Sequence, residues 1–200
     1  MKIFEKLRID KSNLKVIELG EWSFAPLEFR NKYDLNIQTF GSLVSNDLVE
    51  ATELEGNAEV NKITVKNKSD DYLVLHDGEI IVGAKQNRTI DKSIILNSNE
   101  IQNVDVLCVE KGRWNYNSSE FYQHSTKLSP EIRYSKESTN QQNKQTTVWN
   151  EIDNIYLYSD QHSQTSDFCE FKEENNQVFL NTIKPKIFNN QYNGIFVKGP

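Results

Sequence analysis

Apolar and polar positions alternate most clearly from Asn61 onward. Ile63-Thr64-Val65-Lys66 switches side at every residue, the cluster Asn67-Lys68-Ser69-Asp70-Asp71 has turn chemistry, and Tyr72-Leu73-Val74-Leu75 resumes the alternation. The pattern predicts a hairpin. His76-Asp77-Gly78 makes the next turn, and 79–84 begins a strand with Ile80, Val82 and Ala84 on one face. The polar run Lys85-Gln86-Asn87-Arg88 interrupts that strand, which continues through Ile90 and Ile94-Ile95-Leu96 to the turn Asn97-Ser98-Asn99. In the following strand, 101–109, period two puts Val104, Val106, Cys108 and Glu110 on one face, so a carboxylate ends an apolar row.

The flanks read less sharply. Before residue 55, β-like stretches cover 15–19, 35–40 and 49–54, and Gly41-Ser42-Leu43-Val44 predicts a short helix before the third. Residues 117–147 are rich in Ser, Thr, Asn, Gln and Lys with little alternation, and predict a long mobile loop or lid. Val148, Trp149, Ile152, Ile155 and Tyr156 then recur at helical spacing with Thr147 as N-cap, and 168–171, 177–183 and 194–197 read as closing strands. Short strands at this spacing predict a mainly β fold: an antiparallel sandwich or barrel-like sheets with one or two short helices, in a single domain over 1–200.

Composition narrows the classes of function. With 36% apolar and 26% charged residues the chain is of globular type, despite a mean hydropathy of −0.68. A net charge of −6 argues against general nucleic-acid binding and against an anionic membrane surface, since phosphates are held by clustered Lys and Arg. No segment offers the roughly 18 to 20 apolar residues of a membrane span. The opening Met1-Lys2-Ile3-Phe4-Glu5-Lys6 is too charged for a signal peptide, and two cysteines, Cys108 and Cys169, suit reduced thiols. The expectation is a cytoplasmic protein.

Two segments concentrate chemistry. Lys85-Gln86-Asn87-Arg88 packs two cations and two amides behind Gly83, which allows a backbone or ligand to approach closely. Regular β geometry would send Lys85 and Asn87 one way and Gln86 and Arg88 the other, so one pocket needs a turn or bulge to re-aim them. In Cys108-Val109-Glu110-Lys111-Gly112-Arg113-Trp114, the guanidinium suits a phosphate and the indole a purine, or a cation–π contact with the Arg itself. If the two strands are neighbours, both clusters meet at one sheet end, and Glu79 joins Glu110 as a candidate acid–base or metal carboxylate. The plainer alternatives are a polar sheet edge with Arg88 paired to an acid, and an ion pair of Glu110 with Arg113 beside a buried Trp. Cys108, between apolar face-mates, reads as a buried inert thiol. The three histidines show no ligand spacing, and no zinc site, phosphate loop or dinucleotide fingerprint is present.

The stretches Leu75-His76-Asp77-Gly78-Glu79 through Gly83-Ala84-Lys85-Gln86-Asn87-Arg88, and Cys108 to Trp114, resemble the two signatures of one family. It is the ARG and Rhodanese-Phosphatase-superfamily-associated Protein domain, where ARG denotes ADP-ribosylglycohydrolase. The similarity extends through 48–54, Val148-Trp149 and 191–199. The resemblance implies a β-rich fold and a place in NAD or ADP-ribose metabolism, an associational inference from neighbouring genes. Family members typically extend beyond the segment matching 191–199, and His76 stands where an aliphatic residue is more usual. The ending suits a trimmed version that binds without catalysing. Together these lead to the expectation of binding, with processing as an open extension, of an NAD-derived nucleotide such as ADP-ribose. Lys85, Arg88 and Arg113 meet phosphates, Gln86 and Asn87 line the site, Trp114 meets a base or ribose, and Glu79 and Glu110 are the catalytic carboxylates. No cofactor is indicated. The rivals are a non-catalytic interaction protein and a sponge for signalling nucleotides in phage defence.

Overall fold

The computed structural model describes residues 17–19, 22–27, 36–54, 61–172 and 194–198. They fall into two compact units, 1–34 with 173–200, and 35–172. In the first, β1 (Ile17–Leu19), β2 (Trp22–Leu27) and β12 (Gly194–Lys198) form an antiparallel sheet in the order β1-β2-β12. Strand β2, which contains Pro26, is absent from the sequence reading. Among the described residues β2 pairs with β1 from Trp22 to Phe24 and with β12 from Ser23 to Leu27. The expected strand at 177–183 lies outside the described residues.

The second unit carries both signature segments. Its strands are β3 (Ile37–Thr39), β4 (Val49–Glu53), β5 (Lys62–Asn67), β6 (Tyr72–Leu75), β7 (Glu79–Gly83), β8 (Arg88–Ile90), β9 (Ile94–Leu96), β10 (Ile101–Cys108) and β11 (Phe121–Lys127). Its helices are α1 (Phe40–Val44), α2 (Pro130–Glu137) and α3 (Lys144–Tyr158). Six strands make an antiparallel sheet in the order β11-β7-β8-β10-β5-β4, and the two edge strands β4 and β11 approach each other, curling it towards a barrel. A smaller sheet, β3-β6-β9, has β3 parallel to β6. The structure is therefore mostly β with curled antiparallel sheets, as expected, although α3 alone runs to 15 residues.

Period two explains how one sheet serves two cores. Val104 and Val106 on β10 and Ile81 on β7 point inside the curl with Phe40, Ile63 and Val65. Ile80, Leu107 and Val109 point outward, where they pack under Ile132 of α2 and Val148 and Ile152 of α3. The amide side chain of Gln145 on α3 both accepts from the Cys108 N–H (2.8 Å) and donates to its carbonyl (3.0 Å), fastening the helix to the end of β10.

Four expectations are corrected. Strands β5 and β6 form no hairpin: β5 pairs β4 and β10, whereas β6 pairs β3 and β9. The cause is Asn67, fully buried, whose Nδ2 donates to the carbonyls of Asp71 and Asn97 (2.8 Å each) while its Oδ1 accepts from the N–H and hydroxyl of Ser69. This local network bends the chain out of one sheet into the other. The run 85–88 does not interrupt one strand: residues 84–87 connect β7 to β8, which begins at Arg88, and the two strands pair antiparallel. Residues 117–147 are not a mobile loop, since they include β11, α2 and the first turn of α3, and α3 starts at Lys144 ahead of Thr147. Finally, Phe168–Glu170 is a single 3₁₀ turn capped by Asp167, not a strand.

Candidate functional site

The β7–β8 connection turns on two residues. Gly83 has φ 129° and Ala84 φ 41°, which reverses the chain and moves Ala84 from the face of Ile80 into the inner core with Ile81. A Cβ at Gly83 would sit 2.4 Å from the Glu120 carbonyl oxygen, so this close backbone approach requires glycine. The turn re-aims the four polar side chains. Register then brings the second segment alongside, because Arg88 pairs with Cys108 across β8 and β10.

Arg88 and Gln86 turn inward. Arg88 is fully buried, 3.4 Å from the Glu53 carboxylate, with the Cys108 sulfur and the Gln86 carbonyl as further partners and the Trp114 ring 5.8 Å from the guanidinium carbon. Gln86 Nε2 donates to the Glu110 carbonyl at 2.9 Å. Burial pushes the Cys108 thiol up to about 11, against the opposing pull of Arg88, and leaves it protonated.

Asn87 turns the other way, towards Glu110. Its backbone N–H donates to Glu110 Oε2 (3.1 Å), and Glu110 also accepts from Arg113 Nε (2.8 and 2.9 Å), Arg113 Nη2 (2.7 Å) and the Thr165 hydroxyl (3.3 Å). The rest of the guanidinium is spent as well. Nη1 donates to the carbonyls of Ala84 (2.8 Å) and Asn115 (2.9 Å), and Nη2 to the Gly83 carbonyl (3.4 Å) and Asn87 Oδ1 (3.1 Å). The ion pair of Glu110 with Arg113 weighed in the sequence reading is thus present and joined to Asn87, but Trp114, expected beside it as a buried ring, is exposed.

The structure adds a residue that the sequence reading missed. Asp167 forms an isolated antiparallel bridge with Glu110, accepts from Asn87 Nδ2 at 2.9 Å across 80 residues of sequence, and accepts from the Cys169 N–H at 3.0 Å. Burial, then the charge of Glu110, raises its pKa above the ordinary carboxyl value, opposed by those two donors. Tyr156 donates to the Asp167 carbonyl at 2.5 Å, and burial pushes its phenol up to about 12. No local pattern around Asp167 marks it. Beside these groups opens a cleft of about 580 Å³, lined by Asn87, Glu110, Arg113, Asp167, His162 and Thr165 among others.

On the neighbouring loop, Lys85 Nζ lies 5.1 Å from the centroids of both Trp114 and Tyr116, whose rings are exposed. Among the described residues no carboxylate oxygen lies within ion-pair distance of Lys85, whereas Arg88, Lys111 and Arg113 each have one. Glu79 stands apart. It is buried at the opposite end of β7 from Gly83, roughly 13 Å along the strand, and accepts from the His76 N–H (3.0 Å) with Lys127 at 3.7 Å. The two signature segments therefore converge without Glu79. Asp77, two residues before it, pairs with Lys136 at 2.8 Å, and among the described residues no three His, Cys, Asp or Glu side chains are placed so that they could hold a metal ion.

A curled antiparallel β domain with a helix pair on its outer face and a polar cleft where β8 begins and β10 ends is the class of protein that these features define. The chain belongs to the ARG and Rhodanese-Phosphatase-superfamily-associated Protein domain family, whose model matches residues 10–198. No curated protein and no solved structure matches it.

Proposed function

We propose that this domain binds an NAD-derived nucleotide such as ADP-ribose at the cleft and its rim. The observation that carries the reading is the convergence of Asn87 from the first segment with Glu110 and Arg113 from the second at one opening of about 580 Å³, a volume typical of small-molecule sites. Lys85 meets the phosphates, the partly exposed Trp114 ring meets the base, and Asn87, Glu110 and Asp167 line the interior. Arg113 and Arg88 contribute by holding Glu110 and Glu53 in place. Calorimetry with ADP-ribose, cyclic ADP-ribose and NAD tests this. At least one should bind, and Trp114→Ala should weaken it about 5- to 100-fold, the usual weight of one stacked base. Absence of heat with all three ligands would refute the proposal. Chromatography of the ligand after incubation separates an enzyme from a sponge that releases it unchanged.

One observation favours the rival reading of a non-catalytic interaction protein: the guanidinium of Arg113 is saturated by protein acceptors, as a purely architectural network would be.

A further inference from the structure

Within the nucleotide reading, the cleft and its rim differ in what they can recognise. The cleft presents the carboxylates of Glu110, Asp167 and Glu170, and its one guanidinium, Arg113, is spent on Glu110 and on backbone carbonyls. A phosphate entering there would meet like charge, with no unpaired guanidinium or ammonium among the described lining residues to offset it. The side chain of Asn87 is engaged as well, donating to Asp167 and accepting from Gly83 and Arg113. Glu110 is saturated by Arg113, Asn87 and Thr165. Asp167 differs. Among the described residues it accepts from Asn87 at Oδ2, from the Cys169 N–H at Oδ1 and from the Cys169 thiol, three bonds where a carboxylate has about four acceptor sites, so capacity for a further donor remains.

Lys85 has the opposite character. Its ammonium lies against two aromatic faces, and its three donors have no oxygen acceptor among the described residues. It sits beside the cleft by chain connectivity: Asn87, Arg113 and Asn117, which line the cleft, are within two residues of Lys85, Trp114 and Tyr116 respectively.

We infer that the ligand enters with a vicinal diol first: the terminal ribose of a nucleoside diphosphoribose occupies the cleft with its hydroxyls donating to Asp167, and the pyrophosphate stays at the rim on Lys85. This assignment rests on the nucleotide reading and adds to it an orientation and a residue, Asp167.

The trial is calorimetric, on the full chain, with three probes: ADP-ribose, ADP, and an ADP-ribose whose terminal ribose lacks both vicinal hydroxyls. Hydrogen bonds to a charged acceptor predict that ADP-ribose binds about 10- to 100-fold tighter than the other two. Asp167→Asn should bring ADP-ribose down to the level of ADP and leave ADP unchanged, whereas Lys85→Ala should weaken all three together. The ligand-side deletion needs no variant, so the answer stands even if Asp167→Asn fails to fold. Equal affinity for the three probes overturns the inference and leaves the nucleotide reading in place. Binding of none of them overturns the nucleotide reading itself.

Discussion

At the scale of single residues, Arg113 shows how a side chain that looks like a ligand contact is also an architectural one. It neutralises a buried carboxylate and ties three backbone carbonyls and the side-chain amide oxygen of Asn87 to it, so removing it leaves Glu110 buried without its counter-charge. Arg113→Ala should therefore lower the unfolding free energy by about 3 kcal/mol, the cost of breaking a buried pair by deleting one partner. Urea denaturation reads this directly; an unchanged midpoint would show that the network carries little stability and return Arg113 to the ligand. The chemistry of Arg113 and Glu110, three residues apart, was legible in the chain because the local spacing allows the pair. Asp167 was not legible, since only the loop after α3 brings it 80 residues back to Asn87.

At the scale of elements, α2 and α3 are held by charge as much as by their apolar faces. Lys136 and Lys144, both buried, share the carboxylate of Asp91 at the end of β8 (3.2 and 3.1 Å) and that of Glu137 (3.0 and 2.8 Å), and Lys136 adds Asp77 at 2.8 Å, with Arg133 3.9 Å from Asp77. Hydrogen bonds from Lys144, then Lys136, lower Glu137 to about 2, from an ordinary 4.5. Burial works against both ammonium groups, but their acidic partners outweigh it and raise both pKa values above 10.5. A lowered carboxyl stabilises the fold above its ordinary pKa and loses that effect as pH falls through its folded one; a raised ammonium does the reverse at the alkaline end. The clamp should hold from about pH 4.5 to 10.5 and loosen below and above that window. Thermal melts of wild type against Glu137→Gln should differ at pH 7 and converge towards pH 2. This clamp also bears on why 117–147 reads as a loop: Lys136 and Lys144 are buried through pairing, so their polarity does not report exposure.

At the scale of the whole molecule, the unit 35–172 holds both apolar clusters of the described residues and the cleft. Produced alone, this segment should unfold in urea as one cooperative transition with a near-ultraviolet dichroism signal; a broad, featureless transition would show that its packing needs the rest of the chain. The alternation of apolar and polar residues determined by itself that this is an antiparallel β protein, and it placed most strands and the apolar face of α3, because side-chain period is a local property of the backbone. Proximity in sequence also determined the two polar segments. Which strands pair was decided only by tertiary structure: Asn67 diverts the chain between sheets, and the left-handed turn at Ala84 sorts four neighbouring side chains into two networks. The exclusion of Glu79 and the recruitment of Asp167 have the same origin, since distance along a strand and contact between remote loops are set by packing of the whole fold and leave no periodic trace in the chain.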